Sequence, residues 1–318
     1  MSQQDGKNGL MTSTLTRRRL LGSSAGAFTA AMLAGTALPA GFGRVVVAQD
    51  GGTEFHSAWP YLDPGAGGHF NNFVTNGILN PPNIYGDLMY VPMGLLYWAN
   101  NEWLPLLAES WSYLQTGGAS ATPGAAPAAT PAVEASPASG GGPILNAGID
   151  PAADTFQVRL RQGVNWSDGT PVTARDVVDT FHILRLQSNT VWDYLSAVEA
   201  LDDYTINFTM SVPSTVVERY VIRRSPLPSA IYGEWAQRAR ELVEQGLDNE
   251  APEWLQAVEE FNQFRPDPQN LIVNGPYTID VGSITNAQFT MPKNEGSYWA
   301  DQAKFDRIVN FNGETDTI

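Results

Sequence analysis

The sequence predicts an α/β chain in which a mixed sheet is flanked by helices, and three observations carry that expectation. Thr155–Leu160 (TFQVRL) is a strand-like run, and Val198–Leu201 and Tyr204–Met210 (YTINFTM) flank Asp202-Asp203 as a hairpin. Thr173–Leu186 places Val177, Val178, Phe181 and Leu184 on one helical face. The chain has 318 residues, 43% hydrophobic and 16% charged, a globular composition with room for a sizeable core and about two domains of ~150 residues each.

Met1–Ala48 reads as an export signal. Thr16-Arg17-Arg18-Arg19-Leu20-Leu21 fits a twin-arginine pattern, and Leu20–Leu38 then runs without a charge, rich in Ala, Gly, Ser and Thr. That run is long enough to span a bilayer, but its small residues make it only weakly apolar, which favours a signal peptide over an anchor. Val46-Val47-Ala48 offers small residues for cleavage before Gln49, leaving 49–318 as the exported, periplasmic or extracytoplasmic protein. With 18 Lys+Arg against 33 Asp+Glu the formal net charge is −15, the wrong sign for a nucleic-acid backbone. The absence of cysteine excludes disulfides, thiolate metal sites, a cysteine nucleophile and a lipid-bearing cysteine.

Taken in order, Gly52–Trp59 reads as a strand and Asp63–Gly68 (DPGAGG) as a loop. Gly86–Trp98 (GDLMYVPMGLLYW) is apolar and is expected to be helical at least in part, with Pro92 bending or interrupting it. Trp103–Trp111 (WLPLLAESW) should return to the sheet and end in a strand paired with Thr155–Leu160. Between those strands Thr116–Pro143 is built from Ala, Pro, Gly, Ser, Thr, Val and one Glu, which cannot make a core and reads as a disordered insertion. In Gly163–Val178 (GVNWSDGTPVTARDVV), Asp168-Gly169 marks a tight turn, Pro171 stops a strand, and Thr173 with Asp176 fits a capping box. Tyr232–Leu247 and Pro252–Phe264 read as helices whose acidic residues form a solvated face. Gly275–Asp280 and Gln288–Met291 are strand candidates, and Phe305–Phe311 (FDRIVNF) alternates as a half-buried strand should.

Catalysis leaves no trace in the pattern. His56, His69 and His182 are scattered without metal-ligand spacing, and the one G-x-S-x-G match, Gly22–Gly26, falls inside the export signal. No catalytic residue, metal ligand or cofactor is therefore assigned.

Gly163–Val178 resembles the signature of the family 5 solute-binding proteins of ABC importers, the dipeptide- and oligopeptide-binding family. Leu107–Trp111 (LAESW) and Asn274–Ile279 (NGPYTI) extend the resemblance. It implies a type II periplasmic-binding-protein-like fold with the first lobe present and the second missing, so that 49–318 is an N-terminal fragment. The stretch to Phe311 is similar to the place where family chains cross between lobes. The signature itself should build the fold, with Trp166 buried and Asp168 fixing the turn. Ligand contacts in the family come from the cleft between lobes, which points here to the loop after the first strand.

In that loop Trp59, Tyr61, His69, Phe70, Asn71 and Asn72 set flat apolar rings beside amide groups, a mixture suited to a peptide backbone or a sugar. His69–Phe73 resembles the family's FNPF segment, with Asn72 in place of the proline. Tyr97 and Trp98 are weaker candidates, because a helix facing the sheet would bury them. The resemblance implies a monomeric receptor that closes around a peptide and hands it to membrane permease subunits, with an oligosaccharide as the alternative ligand. An exported enzyme or a surface interaction protein, the latter suggested by Thr116–Pro143, are the rival classes.

Overall fold

The computed structural model describes residues 52–58, 69–75, 77, 84–115 and 153–312. The export signal, the Asp63–Gly68 loop, Trp59, Tyr61 and the Thr116–Pro143 insertion lie outside the described residues. Along the chain come β1 (Glu54–Ala58), α1 (Ile84–Met89), β2 (Gly94–Tyr97), β3 (Glu102–Pro105), β4 (Ala108–Leu114), β5 (Thr155–Leu160) and α2 (Ala174–Leu186). β6 (Leu195–Asp202), β7 (Thr205–Met210), α3 (Val216–Ile222), α4 (Ser229–Glu244), α5 (Pro252–Gln263), β8 (Gln288–Pro292) and β9 (Arg307–Phe311) follow.

The strands make three sheets. β4, β5, β7 and β6 form an antiparallel sheet in the order β4-β5-β7-β6. The expected partnership of the LAESW strand with Thr155–Leu160 is there, running from Ala108 opposite Leu160 to Leu114 opposite Thr155. Leu114 and Thr155 are thus opposite one another at the end of this strand pair, and Asp154 N–H donates to Leu114 C=O at 3.0 Å. The second sheet is mixed: β9 pairs parallel with β1 and antiparallel with β8. β2 and β3 form a separate hairpin.

The core follows from alternation. On β5 Phe156, Val158 and Leu160 point inward, on β7 Ile206, Phe208 and Met210 do the same, and Phe181 from α2 meets the Phe208 ring at 4.8 Å between centroids. α2 lies between this sheet and α4, whose small residues Gly233, Ala236 and Ala239 allow the helices to approach closely. α5 closes against α4 through Trp235 and Phe261, with rings 5.2 Å apart, while Arg238 reaches Glu260 across the polar side.

Two expectations change. Gly86–Trp98 is helical only through Met89; Pro92 ends the helix, and the chain leaves as strand β2. Tyr97 and Trp98 are therefore not covered by a helix. They sit at the hairpin end, 57% and 62% exposed. Gly275–Asp280 is not a strand: it makes single bridges, Tyr277 to Lys293 and Asp280 to Thr290, because its Gly275 and Tyr277 N–H groups turn toward the Met89 and Leu88 carbonyls at the end of α1.

His182 packs its ring against Trp192 and is pushed down to about 4, first by burial and then by the Arg240 and Arg185 charges, with Asp179 opposing. The neutral ring is thus the folded form, whereas the unfolded chain takes up a proton near pH 6.5. Stability should accordingly be intact above that value and fall as pH drops from about 6.5 toward 4, by on the order of 3 kcal/mol at ~1.4 kcal/mol per unit. Thermal melts of H182F across this window should show a flatter dependence than wild type; an unchanged slope would assign the acid sensitivity elsewhere.

Candidate functional site

The segment Gly163–Val178 is structural. Asp168 Oδ1 accepts from Thr170 N–H at 2.9 Å and from its hydroxyl at 2.6 Å, closing a turn in which Gly169 has φ +87°, a region that disfavours any side chain. Trp166 is buried, and its Nε1–H donates to Asp176 Oδ2 at 3.2 Å. The same carboxylate accepts from Thr173 N–H at 2.9 Å at the start of α2 and from Ser229 N–H at 2.8 Å at the start of α4. One buried carboxylate therefore ties the turn to two helices.

The turn segment and the chain entering Asn274–Ile279 also meet in space. Ser167 N–H donates to Val273 C=O at 2.7 Å, and Val273 N–H returns to Ser167 Oγ at 3.1 Å. One residue on, the fully buried Asn274 accepts from Val91 N–H at 2.9 Å through Oδ1, and Gly275 N–H donates to Met89 C=O at 2.8 Å. Arg161 Nε donates to Leu106 C=O at 3.0 Å beside LAESW, whose Trp111 donates to the buried Glu218 at 2.7 Å.

The aromatic and amide loop is drawn inward. His69 is buried; its Nε2 meets Thr75 C=O at 2.9 Å while Nδ1 accepts from Asn71 N–H at 3.2 Å, which fixes a neutral ring protonated on Nε2. Asn71 is fully buried, and its Nδ2 donates to the Phe264 and Phe261 carbonyls at 3.2 and 3.4 Å, capping the end of α5. Phe70 belongs to the core. The polar atoms of His69 and Asn71 are thus engaged within the chain, whereas Asn72, only partly buried, borders an open cleft.

That cleft, about 120 Å³, is lined by Asn72, Phe73, Asp87, Tyr90, Arg223 and Arg224 among others. Burial pushes the Tyr90 phenol up, and the Asn72 side chain lies against its hydroxyl. Arg223 is exposed at the mouth and places its guanidinium 5.6 Å from the centre of the Trp98 ring, which Arg219 also approaches at 5.2 Å. Two of the sequence candidates, Asn72 and Trp98, are thereby linked through Arg223, while Trp59 and Tyr61 lie outside the described residues. The sequence reading missed the arginines. Their only signal was an Arg-Arg step in a strongly acidic chain, 150 residues from Asn72.

Among the described residues no group of His, Cys, Asp or Glu is placed to hold a metal ion, and no helix is long and apolar enough to cross a membrane.

Residues 102–313 match the family described as bacterial extracellular solute-binding proteins, family 5, middle region. The chain belongs to this family. Relatives of this family 5 chain include the periplasmic oligopeptide-binding protein OppA of Escherichia coli strain K12, 24% identical over 172 residues, 46% of the chain and 26% of that protein. OppA of Salmonella typhimurium is 27% identical over 170 residues, with the same shares. The family 5 chain thus spans about a quarter of the length of these curated relatives. In three dimensions it is similar to an oligopeptide ABC transporter binding protein of Borrelia burgdorferi, with TM-score 0.51, 15% identity and coverage of 83% of this chain and 43% of that one. A periplasmic oligopeptide-binding protein of Thermotoga maritima gives TM-score 0.50 at 21% identity, covering 83% and 38%. At such identities the likeness speaks for the fold, and the mixed sheets with flanking helices are part of a type II periplasmic-binding-protein architecture.

Proposed function

We propose that this chain is the extracytoplasmic substrate-binding component of an ABC importer that captures peptides and delivers them to membrane permease subunits. The observation that carries the reading is the family match over residues 102–313; the names of the OppA relatives point to peptides as the ligand class. The mechanism is binding coupled to closure: a solute shifts the protein toward a closed form only by binding that form better. Asn72 and Trp98 are the sequence candidates whose positions beside the cleft and on the exposed hairpin suit ligand contact.

A thermal-shift screen of the 318-residue chain against peptide and oligosaccharide libraries tests this. A ligand present at ~1,000-fold its Kd should add ~4 kcal/mol to the apparent stability. Shifts confined to peptides support the proposal, shifts confined to oligosaccharides transfer it to sugars, and no shift with either removes both ligand classes.

A further inference from the structure

The Asn72 cleft has an electrostatic feature that its architecture leaves unexplained. Arg224 follows the last turn of α3, and its backbone is held in place: its N–H donates to Val221 C=O at 3.0 Å, and its C=O accepts from Met93 N–H at 3.0 Å. The side chain turns into the cleft, partly buried, with Nε sealed from solvent and bonded to nothing. Every ion pair among the described residues uses another cation: Arg175, Arg238, Arg240, Lys293, Arg307 or His56. Arg223 adds a second positive charge at the mouth and opposes the first. Among the described residues that line the cleft the one carboxylate is Asp87, which is exposed and feels the Arg223 charge.

A guanidinium whose Nε is sealed from solvent with no acceptor carries a desolvation cost that no attraction offsets. In a chain of net charge −15, this local excess of positive charge at a cavity is opposite in sign to the chain as a whole. We infer that the cleft between the Asn72 loop, α1 and the Arg223-Arg224 step is a carboxylate-binding subsite, with Arg224 as the inner anchor and Arg223 as the outer contact. A planar guanidinium presents paired N–H donors that match the two oxygens of a carboxylate, and Asn72 can add a neutral hydrogen bond at the rim. The volume of about 120 Å³ exceeds the ~30 Å³ share of a single liquid water, so a carboxylate with a short carbon stem fits. The ligand class, an acidic peptide, rests on the receptor function proposed above; the subsite itself does not.

Calorimetric titration of the full chain with succinate and with its uncharged diamide tests the subsite directly. Succinate is expected to bind at least tenfold more tightly than the diamide, and R224M should abolish the difference, with R223M reducing it severalfold. D87N, which removes the competing carboxylate, should strengthen succinate binding and decides the matter if R224M does not fold. Equal binding of the two probes, succinate binding indifferent to R224M, or weakening by D87N overturns the subsite. Inorganic phosphate binding more tightly than succinate overturns its assignment to carboxylates. Ala-Glu-Ala and Ala-Gln-Ala, each with a free or amidated C-terminus, then show whether a side-chain or terminal carboxylate is taken. Peptide binding with no preference for charge would sink the subsite and leave the receptor reading standing; Arg224-dependent succinate binding without any peptide binding would do the reverse.

Discussion

G275A is expected to destabilise the protein by about 3 kcal/mol or more, at the upper end of what overpacking costs. A Cβ at this position would lie 2.1 Å from the Leu88 carbonyl oxygen and 2.8 Å from the Met89 carbonyl carbon, both backbone atoms that cannot swing aside as a flexible side chain would. The clash also falls on a seam of hydrogen bonds, since Asn274 and Gly275 both donate to Met89 C=O and Tyr277 donates to Leu88 C=O. Relief by moving the 274–277 segment would break those bonds and withdraw Asn274 from Val91. G282A is the matched control: its added Cβ would meet only the Asp280 carboxylate at 3.4 Å, an ordinary contact. Equilibrium denaturation should separate the two variants clearly, and a G275A midpoint equal to that of G282A would show that the close approach is not present in solution.

D176A carries the second large effect. It would leave the Trp166 indole, Thr173 N–H and Ser229 N–H without their acceptor, the first in the buried interior and the other two at helix starts. At ~1–3 kcal/mol for each buried donor left unpaired, a loss of about 3–5 kcal/mol is expected. D176N should fall between D176A and wild type. It keeps one accepting oxygen but turns an amide toward at least one donor. The indole provides a second readout, because Trp166 is buried beside this carboxylate and its emission should move to the red if the turn loosens. Unaltered stability in D176A would mean that water replaces the carboxylate.

Much of this frame was legible in the residues because it is local. Thr173 and Asp176 announce the start of α2 three positions apart, Asp168-Gly169 announces its turn, and β7 and β9 alternate buried with less buried positions as their sequences do. The apolar run after Gly86 was harder. Leu96 is buried while Leu95 and Tyr97 face outward, so the period changes from helix to strand at Pro92 within a stretch of uniform hydrophobicity. Gly275–Asp280 has strand-like composition, yet a glycine chosen for close approach and the following proline bend it into a bracing loop. The cleft was the least legible part. Asn72 could be singled out by its residue type, but Arg224 joins it only because α3 ends against the chain that enters β2, a tertiary coincidence with no sequence spacing. Residue type also gives no sign that the Asn71 amide serves a helix end in the interior.

The pairing of β1 with β9 bears on how the chain reaches this structure. Glu54 lies opposite Arg307 and Ala58 opposite Phe311, and Thr53 is tied to Asp306, all across a separation of 253 residues. Parallel partners so remote in sequence demand closure of the longest loop between paired strands among the described residues, and such contacts slow folding. During synthesis from the N-terminus, β1 therefore waits without its partner while the hairpins of the antiparallel sheet, whose β6 and β7 are joined by a two-residue turn, can already form. The mixed sheet should be the last to assemble. Its first strand stays without its parallel partner until Arg307–Phe311 has emerged.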